Sequence, residues 1–395
     1  MSASAESWGY ISAFIVFICG FLIARSTSKY FGVKQRYSVF LYLWHTIFCF
    51  VYLWYVIKNG GDALVYYKMT VLGVFELRPG SQAVYMLNSV FIHGLGFSIA
   101  GAFLVNNIVG FLGLLAFQGS LNFATENKSR RIKQLSMLIV LLPSISFWTS
   151  ALGKDSISFM ATGFALWAAL KLEKRTVLMA FAIFMMFLVR PHMAGMMIIA
   201  LSFSMVLSAK VSLLRRLIVG IGALLITAAL VPFALEYAGV SDPNSAESIA
   251  SFMEGRQGVN TAGGSSVDIA SMSLPMKMFT YVFRPTIFEA RNVFTLAAAI
   301  DNLILLYLFI AGGYALIKNK TRKFTENRKF MWVYAGLALF VLAMTTANLG
   351  IAVRQKWMFA PMLIFLLISL IGKEKKKTIV VHKPAINLPR AARFK

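Results

Sequence analysis

The sequence predicts an all-α, polytopic integral membrane protein with about eleven transmembrane helices, the N-terminus outside and the C-terminus cytoplasmic. Three observations carry that expectation. Of 395 residues, 58% are apolar and 14% charged, and the mean hydropathy is +0.72. A water-soluble domain has no core large enough for so much apolar surface. Apolar runs near the roughly 20 residues that span a bilayer recur from end to end. Between them, lysine and arginine alternate from one connecting segment to the next, as the excess of positive charge in cytoplasmic loops requires.

The runs lie near 8–26, 38–57, 97–121, 134–149, 155–171, 176–190, 193–209, 217–236, 292–317, 330–346 and 357–372. The first lacks a basic segment before it and is followed by Arg25, Lys29, Lys34 and Arg36, so it reads as a retained helix. Further basic clusters, around Lys128 to Lys133, Lys171 to Arg175, Lys210 to Arg216 and Lys318 to Lys329, fall on the same predicted side. Residues 1–372 therefore form one transmembrane domain, and 373–395 a basic cytoplasmic tail. Two outer segments exceed simple turns: 58–96, where Ser81 to His93 reads either as an interfacial helix or as an ordinary loop, and 237–291, a long loop suited to a lid. Arg190-Pro191-His192 joins two short runs as a tight outer hairpin.

Several function classes are excluded. The net charge of +24 resides in clusters between apolar runs and in the tail, so it signals orientation and not nucleic-acid binding. Cys19 and Cys49 lie inside apolar runs, without the spacing of a metal site or a disulfide framework. No phosphate-binding glycine loop, dinucleotide fingerprint, zinc motif or nucleophile elbow occurs. With no Asp-x-Asp pair, a metal-held nucleotide sugar is not expected, nor is any cofactor or metal.

Once the topology signals are set aside, the remaining charges gather at the predicted outer ends of the helices. Arg190, Arg284, Arg291, Lys154 and Arg354 are read as ligands for a lipid-linked phosphate or pyrophosphate, because guanidinium forks bind phosphate oxygens bidentately. The alternative is structural pairing, Lys154 with Asp62 and Arg291 with Glu289, with Arg354 snorkelling. Asp62, in Gly60-Gly61-Asp62, is the candidate general base toward a sugar hydroxyl, or else a loop aspartate beside interfacial tyrosines. His192 is a second acid/base candidate. Tyr66, Tyr67 and Trp148 are candidate platforms for pyranose rings. Asp155 and Glu289 are supporting acids, and Asp301 is the one clear intramembrane carboxylate, organising the cavity from below or pairing with a neighbouring helix.

Asp62 with Tyr66 and Tyr67, the Pro143-Ser144-x-x-Phe147-Trp148-x-Ser150-x-x-x-Lys154-Asp155 hairpin, and the Arg190-Pro191 and Arg284-Pro285 pairs with Glu289 downstream are accompanied by Gly263-Gly264-Ser265 in the long loop. In these features the chain resembles the bacterial multi-spanning glycosyltransferases of the GT-C type, especially the Wzy and EpsG-like polysaccharide polymerases. It differs from the best-known GT-C enzymes in having no Asp-Asp or Asp-Glu pair in its first outer loop. The resemblance implies a GT-C-like fold in the bacterial inner membrane. It also implies transfer of sugar or oligosaccharide from a polyprenyl-(pyro)phosphate carrier on the periplasmic face, without metal, among membrane lipid and other polysaccharide-assembly proteins. A lipid-linked oligosaccharide flippase or other polysaccharide transporter is the competing expectation.

Overall fold

A computed structural model describes residues 3–73, 76–207, 265–269, 271–318 and 328–372, with isolated positions between 214 and 255. The predicted run at 217–236, most of the long loop, including Gly263-Gly264, and the tail at 373–395 lie outside the fully described residues. Among the described residues the protein is all-helical, apart from one antiparallel bridge between Ser266 and Asn348.

The helices are α1 (Ala3–Thr27), α2 (Gln35–Asn59), α3 (Asp62–Leu72), α4 (Ser81–Leu95), α5 (Ile99–Thr125), α6 (Arg130–Val140), α7 (Pro143–Thr149), α8 (Lys154–Ala169), α9 (Thr176–Val189) and α10 (Pro191–Val206). They continue with α11 (Leu274–Phe283), α12 (Val293–Lys318), α13 (Arg328–Thr345), α14 (Leu349–Gln355) and α15 (Ala360–Leu370). Among the described residues, six stretches are long and apolar enough to cross a membrane: Glu6–Thr27, Gln35–Asn59, Ile99–Thr125, Arg130–Thr149, Val293–Lys318 and Arg328–Thr345. A seventh arises if α14, the turn after it and α15, bent by 67°, count as one.

The expected eleven crossings come from counting apolar runs, and a run is not always a helix of sufficient length. α8 has 16 residues and α9 has 14, so at 1.5 Å per residue they extend only about 24 and 21 Å against a hydrocarbon core of roughly 30 Å. The run at 357–372 also breaks. Pro361 lies in the first turn of α15, where its missing N–H is tolerated, and Phe359 before it leaves the helical conformation. Within the segment 58–96, α4 falls where Ser81 to His93 is open to a helical reading, and it packs on a further helix, α3, that the sequence does not suggest.

Two helices form the centre. Every residue of α8 from Asp155 to Ala169 is buried, as is every residue of α15. α8 lies against α5, and α5 also approaches the end of α7 so closely that a Cβ on Gly110 would fall 1.9 Å from the Thr149 carbonyl oxygen. Only glycine permits that crossing. By contrast α1 shows Phe14, Ile15, Ile18 and Leu22 on its outer face, apolar exposure that lipid tolerates and water does not.

The bundle has two chemically distinct ends. At one, Lys128 Nζ donates to the carbonyls of Ile368 (3.0 Å) and Ser369 (2.6 Å), satisfying the C-terminus of α15. Arg328 Nη1 joins it through Ser369 Oγ. Arg175 stacks 3.8 Å from the Trp167 ring at the same end of α8. These are residues of the basic clusters. The other end gathers the residues that sequence reasoning singled out.

Candidate functional site

Three chain breaks deliver charged side chains to one place. Pro191 disfavours helical geometry in the residue before it, so α9 stops at Val189 and Arg190 sits at a corner with φ −148° and ψ 76°. Gly153, with φ 156°, turns the chain into α8, and a Cβ there would press on the Tyr66 ring at 3.2 Å. Lys154 and Asp155 therefore open α8 beside α3. Asn348 caps α14 by accepting from Gly350 N (2.9 Å) and Ile351 N (3.2 Å). The bridge that pairs Ser266 with Asn348, reinforced by Leu349 N donating to Ser265 O (2.9 Å), fixes that cap. Arg354 stands on the helix so anchored.

The result is a chain of ion pairs. Asp155 Oδ1 accepts from Arg190 Nη2 at 2.8 Å, and its Oδ2 accepts from Arg354 Nε. Arg354 Nη1 reaches on to Asp62 Oδ2 at 2.7 Å. The two acids differ sharply in access: the Asp155 side chain is 11% exposed and that of Asp62 60%. Asp155 is thus a buried clamp between two guanidiniums, and Asp62 a carboxylate that a ligand can reach. Arg354 is also 5.8 Å from the Trp148 ring, which packs with Tyr52 at 5.6 Å, so a cation–π contact helps to set its height.

These groups surround a cavity of about 280 Å³ lined by Asp62, Tyr66, Lys154, Arg190, Ile351, Arg354 and Gln355. Lys154 makes no hydrogen bond or ion pair with a described residue. Loss of water, reinforced by the Arg190 charge beside it, pushes its ammonium down to about 8. Burial pushes the Tyr66 phenol up to about 12, so it keeps its proton and can donate it in a hydrogen bond. A second groove, of about 560 Å³, lies at the basic end between α1 and α2 and includes Arg25, Lys29 and Lys34.

Of the predicted site residues, Asp62, Lys154, Arg190, Arg354, Tyr66 and the supporting Asp155 come together. The alternative pairing of Lys154 with Asp62 does not form, and Arg354 is no snorkelling side chain but the hub of the network. Tyr67 is half-buried on α3 and His192 is the second residue of α10; neither lines the cavity. Arg284 and Arg291 are also elsewhere. Arg284 bonds Glu289 through Nε at 2.8 Å and again through Nη2. Glu289 in turn accepts from Thr286 N (2.7 Å) and Thr286 Oγ1 (2.9 Å), a capping box that closes the turn on itself. The bond from Arg284, with those from Thr286, holds the Glu289 carboxyl down at about 2. The expected Arg291–Glu289 pair is replaced by this one, and Arg291 is exposed.

Asp301 belongs to a separate buried layer. Its Oδ2 accepts from Ser144 N at 2.8 Å, while Asn302 next to it donates to Pro285 O at 2.9 Å and accepts from Lys356 Nζ. All four of Ser144, Asp301, Asn302 and Lys356 are buried. They tie the α6–α7 break, the Arg284 turn and the bend before α15 to α12. Sequence reading missed Asn302 with Lys356 as a joint and Gln355 in the cavity wall; the only available signal was three polar residues, Arg354 to Lys356, interrupting an apolar stretch.

The fold and this site define the protein as an all-helical protein of membrane type with a cationic, acid-bearing cavity at one end of its helices. Comparison with protein-family models, curated proteins and solved structures finds no match.

Proposed function

We propose that the protein is a membrane glycosyltransferase or polysaccharide polymerase of the bacterial inner membrane. In this reading it takes sugar or oligosaccharide from a polyprenyl-(pyro)phosphate donor at the periplasmic face, with the N-terminus outside and the C-terminus cytoplasmic. One observation carries the reading: Lys154, unpaired among the described residues, and the two arginines stand beside the exposed carboxylate of Asp62 in a single cavity. Cations suit a phosphate leaving group, and a reachable carboxylate suits an acceptor hydroxyl.

In the reaction, the acceptor oxygen attacks the anomeric carbon as its proton passes to Asp62. The bond from that carbon to the phosphate oxygen breaks, and the phosphate leaves with the electron pair. Lys154, Arg190 and Arg354 balance the charge that develops there. Asp155 keeps both guanidiniums in place, a positioning role, since each of its oxygens is already taken. Tyr66 offers a phenolic hydrogen to the same space.

The second reading, a flippase or other transporter for lipid-linked oligosaccharide, draws support from Asp301, Asn302 and Lys356, which carry polarity into apolar helices below the cavity. Purified protein given polyprenyl-linked oligosaccharide separates the readings. A ladder of products marks a polymerase, a single addition a transferase, and movement across the bilayer without reaction a transporter. We expect product whose rate falls at least about a hundredfold in Asp62→Asn, the usual contribution of a general base. Undiminished transfer in both Asp62→Asn and Arg190→Gln would overturn the proposal.

A further inference from the structure

The buried layer holds an acid and a base that the transfer reaction does not use. Asp301 lies eight residues after Val293 in α12, about 12 Å along the helix at 1.5 Å per residue, and both Asp301 and Lys356 are 0% exposed. Ionisable groups this deep in a membrane helix are unfavourable to keep, which makes each a functional site by default. The charges of the two residues interact, yet among the described residues no direct ion pair joins them. Lys356 Nζ donates to Asn302 Oδ1 instead, and the carboxylate accepts from Ser144 N.

That arrangement leaves one carboxylate oxygen over. Oδ2 takes the Ser144 N–H at 2.8 Å, whereas Oδ1 has no hydrogen-bond partner among the described residues, and neither has the Ser144 hydroxyl, which lies beside the carboxyl. A hydroxyl donates and accepts, and its hydrogen rotates to suit. Ser144 Oγ therefore serves a carboxylate by donating to it and a carboxylic acid by accepting from it. Either protonation state fits the same heavy-atom frame. α12 packs against α7, α11, α15 and the Ile287–Glu289 turn. Neither α7 nor α15 carries an ionisable side chain. α11 contributes Lys277 and Tyr281, of which Tyr281 interacts with Arg190, and the turn contributes Glu289, already bonded to Arg284. Among the described residues the charge that acts on Asp301 is that of Lys356.

We propose that Asp301 is a buried proton-binding site: Oδ1 takes up and releases one proton, Ser144 Oγ turns to meet either form, and Lys356 is the counter-charge of the proton-free form. On uptake an O–H bond forms at Oδ1 with a proton delivered by water, and the charge of the layer rises by one. On release that bond breaks, its electron pair stays on Oδ1, and water carries the proton away. Lys356 loses its counter-charge in the first step and regains it in the second. The α6–α7 break, the Arg284 turn and the bend before α15 are all fastened to these groups, so proton binding acts on three joints of the bundle together. The site does not depend on the donor-site reading.

The test uses the full chain in an ester-free detergent, so that lipid carbonyls do not mask the signal. Infrared difference spectroscopy follows the carboxylic-acid C=O stretch as pH is cycled, in water and in heavy water. The expected result is an acid band that forms on acidification, reverses on return, moves to lower frequency in heavy water and is missing in Asp301→Asn. Ser144→Ala should displace the band without removing it. Lys356→Met should move its midpoint upward by about one pH unit or more, because the proton-free form loses its counter-charge, an effect that a purely structural role for Lys356 does not give. A spectrum with no band that Asp301→Asn removes, a band that neither exchanges in heavy water nor follows pH, or a midpoint unmoved in Lys356→Met would overturn the proposal. Should Asp301→Asn fail to fold, Ser144→Ala assigns the band in its place, and a spectrum without a band displaced there overturns the proposal equally.

Discussion

Arg284 and Arg354 are both arginines bonded to carboxylates, yet one closes a turn and the other opens a site. Arg284 meets Glu289 five residues away, and Thr286 uses the carboxylate's other oxygen, so the turn satisfies itself with local sequence. Arg354 meets Asp155 and Asp62, 199 and 292 residues away in sequence, and the three meet only because α3, α8 and α14 converge. The self-contained pair leaves nothing for a ligand. The assembled network encloses a cavity and leaves Asp62 reachable and Lys154 unpaired among the described residues. Charge near a membrane surface therefore marks function less by its presence than by whether short-range partners have already consumed it.

Breaking the network at its buried centre should produce the largest effect. Asp155→Ala leaves two guanidiniums facing each other without their shared acid, and a loss of about 3–5 kcal/mol is expected, measurable as a fall in the thermal midpoint in detergent. The same measurement on Gly110→Ala should show a loss of about 1–3 kcal/mol, because the added carbon must push α5 away from the Thr149 carbonyl. If Gly110→Ala proves neutral, the close crossing that positions the α7–α8 turn is mistaken.

A pH titration sharpens the comparison from another side. Lys154 has its folded-state pKa lowered to about 8 from 10.5. Its burial as a cation therefore opposes folding below about pH 8, and the opposition is relieved as pH rises from there toward 10.5. Stability of the native protein should rise relative to Lys154→Gln across that window, while binding of an anion weakens as the ammonium is lost. A flat difference between the two proteins through pH 8 to 10 would remove Lys154 from the buried wall. The smallest effect belongs to the closed turn. Glu289→Gln affects a pair nearly a third exposed, and a loss below about 1 kcal/mol is expected, with ligand binding unchanged.

Much of this was legible before the structure. Apolar runs marked α1, α2, α5, α12 and α13, because a helix that must satisfy its backbone in lipid leaves a long, uninterrupted pattern. The same rule also marks crossings at α8 and α9, whose helices are shorter than the roughly 30 Å hydrocarbon core, a length that composition does not encode. The sequence does not announce α3, since its eleven residues follow two glycines and carry a mixed face. At the site, Asp62, Lys154, Arg190 and Arg354 were readable as charges without an obvious local use. Arg284, an expected phosphate ligand, has such a use instead, because Thr286-x-x-Glu289 is a capping-box pattern that holds its carboxylate partner close by. Lys356 with Asn302 was not foreseeable, since nothing in either segment announces a contact across 54 residues.

The central claim, that the assembled cavity and not the neighbouring arginine turn receives the donor phosphate, is tested most directly by photo-crosslinking a diazirine-bearing polyprenyl phosphate sugar to the purified protein. The account predicts adducts on α3 and α14 around the cavity, abolished by Arg190→Gln and unaffected by Arg284→Gln. Labelling that survives Arg190→Gln and disappears with Arg284→Gln would contradict it.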